Sequence, residues 1–135
     1  GFQAEGSAPI VRGAVVENPE TVATAIRIGN PASWKTAEAA RAESGGMLGM
    51  VSDQKILEAY DLLAKREGYV CEPASAAGVA GIRQVLENQS FQAGQKIVCT
   101  LTGHGLKDPD IAVKRAVEPV SCSADVDDII KVIGL

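Results

Sequence analysis

The stretch Lys96–Gly105, KIVCTLTGHG, decides how this chain is read. Ile97, Val98, Cys99, Thr100 and Leu101 form a nearly continuous run rich in β-branched residues, without polar alternation. Such a run predicts a short strand covered on both faces, as in a parallel sheet. It ends in Thr102-Gly103-His104-Gly105, where two glycines allow a tight turn. In open α/β sheets, ligands gather beyond the carboxyl ends of strands. A hydroxyl at Thr102, at such a strand end and beside Gly103, can approach a bound ring closely. A strand followed by a plain turn satisfies the same pattern.

Upstream of that stretch, the clearest helix is predicted over Asp53–Glu67. Ser52 caps it, Asp53 sits in its first turn, and Ile56, Tyr60, Leu63 and Ala64 fall at helical spacing. Gly68 is placed as its left-handed terminator. Tyr69–Cys71 reads as a very short strand. Pro73 or Ser75 then opens a helix running to about Asn88, whose first half is small: Ala76, Ala77, Gly78, Ala80 and Gly81. Each glycine inside a helix costs roughly 1 kcal/mol against alanine. Two so close together predict a close neighbour, either the sheet or a planar ligand. Phe91–Gly94 is read as the loop into the central strand.

Towards the start, Gly1–Glu5 reads as the end of a strand, Gly6–Pro9 as a turn and Ile10–Val16 as mixed, broken at Arg12-Gly13. Asn18-Pro19-Glu20 has the form of a helix start, with a short helix through Val22, Ala23 and Ile26. Gly29-Asn30-Pro31 stops it. Gly29 and Asn30 both tolerate positive φ, and Pro31 pushes Asn30 towards an extended backbone. A firm loop with an exposed amide is one reading, simple helix termination the other. Ser33 is expected to cap a helix over Trp34–Ser44, whose Ala-rich face suits close packing, with Gly45-Gly46 after it. Met47–Val51 is a second strand candidate. After the quoted stretch, Asp108 is read as the cap of a short helix begun by Pro109, Val120–Ser123 as an edge strand, and Ala124–Ile133 as a closing helix. Helices alternate with short apolar strands, so the class is α/β: an open, mainly parallel twisted sheet with flanking helices.

At 135 residues the chain suits one core. A net charge of −4 without any basic cluster gives no reason to expect nucleic acid. No run of about 18 apolar residues is present, so no membrane span is expected. Cys71, Cys99 and Cys122 match no zinc spacing and are odd in number, which reads as buried thiols in a reducing compartment. With no secretory signal in view, a cytoplasmic location is expected, and the sequon Asn88-Gln89-Ser90 is given little weight. His104 stands alone, so no metal constellation is read. No glycine-rich phosphate loop opens a helix.

Four segments together resemble the threonine synthase family, among the fold type II pyridoxal-phosphate enzymes. They are GFQAEGSAPIVRG at 1–13, NPETVATAIRIGNPASW at 18–34, GYVCEPASAAGVAG at 68–81 and VCTLTGHGLKDPD at 98–110. The EPASAA block is shared more widely, with serine/threonine dehydratases and cysteine synthases. The resemblance implies pyridoxal phosphate as cofactor and conversion of O-phosphohomoserine and water into threonine and phosphate. It places Thr102 as the hydroxyl that hydrogen-bonds the pyridine nitrogen, Gly29, Asn30 and Pro31 in a loop bordering cofactor and substrate, and Glu72 and Ser75 at the mouth of the same cleft. The family's Schiff-base lysine, in a Ser-aromatic-Lys-x-Arg pattern, and its asparagine- and glycine-rich phosphate loop match nothing here. Residues 1–135 are therefore expected to be the C-terminal portion of the cofactor-binding large domain, cut at its N-terminus. No residue here is assigned the covalent catalytic role, the chain alone is expected to be inactive, and the missing N-terminal portion is its expected partner. An unpaired sheet edge predicts association, as a homo-oligomer or with that portion. Two rivals stay open: another fold type II enzyme such as threonine dehydratase, and a non-catalytic α/β binding module.

Overall fold

The computed structural model describes residues 1–88 and 94–134. Its sheet has two strands, β1 (Phe2–Ala4) and β2 (Gly49–Val51), paired parallel with Phe2 opposite Gly49, Gln3 opposite Met50 and Ala4 opposite Val51. Parallel neighbours cannot be joined by a hairpin. The crossover between them carries a short helix α1 (Pro9–Arg12), a 3₁₀ turn (Thr24–Ile26) and α2 (Trp34–Ser44). Two long helices follow, α3 (Asp53–Glu67) and α4 (Pro73–Asn88). They pack on each other, and α4 also packs on both strands. A second 3₁₀ turn (Gly105–Lys107), α5 (Pro109–Arg115) and α6 (Val126–Ile133) complete the described chain. The result is mixed α/β with a parallel pair flanked by helices, in line with the expected class.

The core forms where β1, β2, α3 and α4 meet. Ala4, Val51, Ile56, Ala59, Tyr60, Cys71, Ala76, Ala77 and Ala80 are buried there together with Ala23. The α3 reading holds closely: the Ser52 hydroxyl accepts from the Lys55 N–H at 3.3 Å, and Gly68 ends the helix at φ 70°. The small residues of α4 let the helix lie against β1. A Cβ on Gly81 would sit 2.2 Å from the Phe2 ring, so the close neighbour there is the strand. Gly78, by contrast, faces nothing within 4 Å.

Several sequence expectations are corrected. Lys96–Leu101 does not join a sheet; Lys96–Thr100 runs along the surface, with Val98 89% exposed, and Leu101 packs against the core. A strand exists only where a neighbour completes its ladder, and no neighbour among the described residues does so. Val120–Ser123 is likewise exposed and outside any strand. The helix expected at Asn18-Pro19 is replaced by irregular chain and the single turn at Thr24–Ile26. Its backbone donors are taken by tertiary partners: Glu20 N–H by the Gly6 carbonyl (3.1 Å) and Val22 N–H by the Asp53 carboxylate (3.0 Å). Gly29 does not adopt positive φ, and neither does Asn30. Glycine serves at 29 because a Cβ would lie 1.8 Å from the Val16 carbonyl oxygen. Pro9 begins a helix instead of closing a turn. No residue of α2 is buried, so its Ala-rich face is uncovered among the described residues. Ser33 and Asp108 make no side-chain cap, and of the cysteines only Cys71 is buried. The loop expected over residues 91–94 lies outside the described residues except for Gly94, as do two of the three sequon positions.

Candidate active site

The end of the quoted stretch does meet a neighbour. Gly103–Gly105 runs antiparallel beside Val70–Glu72: Glu72 N–H donates to the Gly103 carbonyl at 3.0 Å, and Gly105 N–H donates to the Val70 carbonyl at 2.9 Å. Two glycines are needed here for space. A Cβ on Gly103 would lie 2.0 Å from Glu72 Oε1, and one on Gly105 would lie 2.6 Å from the Val70 side chain. The expected very short strand at Tyr69–Cys71 is reduced to this single bridge.

Glu72 ends the bridge and begins α4. Its carbonyl accepts from Ser75 N–H at 3.0 Å and Ala76 N–H at 3.4 Å. Ser75 is thereby fixed in the first turn, with its side chain aimed at the loop after Leu101. Ser75 Oγ accepts from Gly103 N–H at 2.7 Å and lies 3.0 Å from Thr102 Oγ1. Ser75 is buried and Thr102 is exposed. The hydroxyl of a buried residue thus holds that of an exposed one at the end of an extended segment. Next to Gly103 an open hollow of about 230 Å³ is bounded by Tyr69, Val70, Cys71, Leu101, Gly103 and His104.

Electrostatics divide the site. The Glu72 side chain is 5% exposed, turned onto Gly103, with Lys107 Nζ 3.5 Å from Oε1. Its negative charge is therefore partly matched and directed inward. Burial pushes the Cys71 thiol up from its ordinary pKa, which keeps the hollow's sulfur protonated at neutral pH. His104 is exposed, and its Nδ1 accepts from Leu106 N–H at 3.1 Å, which caps the 3₁₀ turn.

Of the residues singled out from sequence, Thr102, Ser75 and Glu72 come together around Gly103. Gly29, Asn30 and Pro31 form a separate loop. The Gly29 carbonyl accepts from Val16 N–H at 3.0 Å, the Ile28 carbonyl accepts from the Ser7 hydroxyl at 3.1 Å, and Asn30 is exposed. A third bond, from Trp34 N–H to the Pro31 carbonyl at 3.3 Å, ties the loop to the start of α2.

The sequence reading missed one polar group. Asp53 accepts from the Thr21 hydroxyl at 2.5 Å, and Asp108 accepts from the Thr24 hydroxyl at 2.8 Å. These bonds border an open hollow of about 480 Å³ that also touches Arg27, Asp110 and Lys114. Thr and Asp at 21, 24, 53 and 108 carry no short-range pattern: Asp53 and Asp108 each had a sufficient local role at a helix start, and Thr21 and Thr24 drew no reading of their own. Their pairing is a fact of tertiary structure.

Comparison with known proteins extends these observations. A family model described as pyridoxal-phosphate dependent enzyme matches residues 1–103. The threonine synthase of Bacillus sp. (strain ULM1) is 52% identical over 130 residues, which is 96% of this chain and 37% of that protein. That of Synechocystis sp. is 53% identical over 127 residues, covering 94% of this chain and 33% of the relative. That of Methanocaldococcus jannaschii is 44% identical over 135 residues, 94% of this chain and again 33% of the relative. The chain thus spans about a third of the length of these relatives. A crystal structure of a threonine deaminase from T.th. superposes with a TM-score of 0.53 over 73% of this chain and 40% of that one, at 18% identity, a likeness of fold alone. With three quarters of its length under that family model and its class matched in the fold, the chain belongs to the pyridoxal-phosphate dependent enzymes.

Proposed function

We propose that these residues form the C-terminal part of the cofactor-binding domain of a threonine synthase, a lyase that converts O-phospho-L-homoserine and water into L-threonine and phosphate in the cytoplasm. The identity to threonine synthases along nearly the whole chain supports this reading. The observation that carries it at the level of chemistry is the hydroxyl of the exposed residue Thr102, braced by that of the buried Ser75 at 3.0 Å.

Pyridoxal phosphate, when bound, supplies an electron sink for carbanions. The described residues fit one edge of that cofactor. Thr102 offers a single hydroxyl of the right kind for a ring nitrogen, and Gly103, with no side chain, leaves room beside it. The phosphate and the aldehyde end call for other residues, which we assign to the rest of the full-length enzyme. No lysine of this chain resembles the family's anchoring lysine, so the chain alone is expected not to turn over.

Thr102 would donate a hydrogen bond to the ring nitrogen. A hydroxyl is far too weak an acid to transfer that proton, so Thr102 would leave the nitrogen neutral, where a carboxylic acid would protonate it. A milder sink of that kind would suit elimination and replacement. Glu72 acts on the site indirectly: packed against Gly103 and paired with Lys107, it keeps the turn closed. Gly29, Asn30 and Pro31 would border the cofactor and substrate as a separate wall.

The test is Thr102→Val in the full-length enzyme. Turnover of O-phosphohomoserine should fall at least about a hundredfold, with a changed cofactor absorption spectrum. Unaltered turnover and spectrum would reject the assignment. Activity of the full-length enzyme on threonine and not on O-phosphohomoserine would replace this reading with a dehydratase.

A further inference from the structure

Resting on the placement of Thr102 above, we infer that Ser75 is a positioning residue that sets the direction of the Thr102 hydroxyl proton, making Thr102 a donor to the ring nitrogen and not an acceptor from it. A hydroxyl has one proton and two lone pairs. Between Ser75 Oγ and Thr102 Oγ1, 3.0 Å apart, either can donate. If Ser75 donates, Thr102 has its own proton left for the exposed side. If Thr102 donates, it presents only a lone pair outward, which complements a protonated nitrogen.

The surroundings of Ser75 decide between these. Gly103 N–H donates to Ser75 Oγ at 2.7 Å and uses one lone pair. The Ser75 proton then has two acceptors in reach: Thr102 Oγ1 at 3.0 Å, or the Gly103 carbonyl at 3.4 Å. That carbonyl already receives Glu72 N–H at 3.0 Å. The nearer acceptor is Thr102. Because Ser75 is only 4% exposed, no bulk water competes for its proton. The chain of donors therefore runs Gly103 N–H to Ser75 to Thr102 and out to the ring. Each bond polarises the next in the same sense. The consequence is a nitrogen kept unprotonated by a side chain that never touches the cofactor.

The experiment uses the full-length holoenzyme loaded with pyridoxal phosphate carrying nitrogen-15 in its ring, and follows that resonance against pH by NMR. In the unsubstituted enzyme it should stay at the hydrogen-bonded, unprotonated position as pH falls. Ser75→Cys keeps the side chain's shape and a weak acceptor for Gly103 N–H but donates poorly. In that variant the resonance should titrate towards the pyridinium position, and kcat should drop about tenfold, one ordinary hydrogen bond, with KM within about twofold. Ser75→Ala should do the same if it folds; Ser75→Cys decides alone if it does not. In a Thr102→Val background, Ser75→Cys should move the resonance no further. A pH-independent resonance in Ser75→Cys, or an equal movement with and without Thr102, overturns the inference. A resonance moved by Thr102→Val and not by Ser75→Cys sinks this inference alone. One that Thr102→Val leaves in place sinks the parent reading with it.

Discussion

The pair α3 and α4 and the tract from Lys96 to Gly134 have comparable apolar patterning and opposite fates. In the helical pair, Ile56, Ala59, Tyr60, Ala76, Ala77 and Ala80 vanish into one core. In the later tract, Val98, Val113, Val117, Val120 and the α6 residues Val126, Ile129, Ile130 and Ile133 stay exposed. Helices carry their hydrogen bonds with them, so α6 forms even with its apolar face uncovered. An extended run must borrow its partners from another strand. Apolar pattern therefore states a demand for burial, and it says nothing about who meets that demand.

The contrast is sharpest at Ile56, which is fully buried. Ile56→Ala should cost about 2–5 kcal/mol by denaturant unfolding, whereas Val98→Lys should change stability by less than about 0.5 kcal/mol. A large loss at Val98 would show that the extended stretch is covered after all. The two glycines of α4 come next. Gly81→Ala drives a methyl into the Phe2 ring and should destabilise by about 1–3 kcal/mol. Gly78→Ala meets nothing within 4 Å and should stabilise by roughly 0.5–1 kcal/mol. The same sign for both would undo the account of that helix face.

The exposed face of α6 predicts self-association of the chain on its own. Sedimentation should find dimers or larger species, reduced by Ile129→Glu with Ile133→Glu. A clean monomer before substitution would count against it. The smallest effect is expected at Asp61, whose carboxyl is held below its ordinary range chiefly by the hydrogen bond from Arg115 (Nε to Oδ1, 3.1 Å), with burial opposing. A depressed folded value means the pair's stabilisation is complete above the ordinary carboxylate range and is lost as pH falls through that value. Asp61→Asn should flatten that acid-side slope, by well under about 1 kcal/mol because both side chains are about a third exposed.

How far the molecule could be read from its residues follows the same division. Ser52, Asp53 and Gly68 marked α3 correctly because caps and terminators are local. The α/β class was legible too, from alternating elements. The helix expected at Asn18-Pro19 failed because Asp53 and Gly6 claim its donors from distant positions. Gly29 was read as a residue free to take positive φ when it is a gap left for the Val16 carbonyl. At the candidate site the residue types at Glu72, Ser75 and Thr102 were visible from a resemblance. Their meeting around Gly103 was not. The Thr21–Asp53 and Thr24–Asp108 bonds left no trace in periodicity at all.

The crossover from β1 to β2 has a kinetic consequence. The two strands close a long loop for a few ladder bonds, while α3 and α4 are joined by a brief connection. Loop-closure entropy should make the helical hairpin the nucleus and the strand pair its last addition. Under native-state hydrogen exchange, the Glu5 and Gly49 amides should then open earlier than those of mid-α3. Protection in the reverse order would mean that the chain zips from its ends inward.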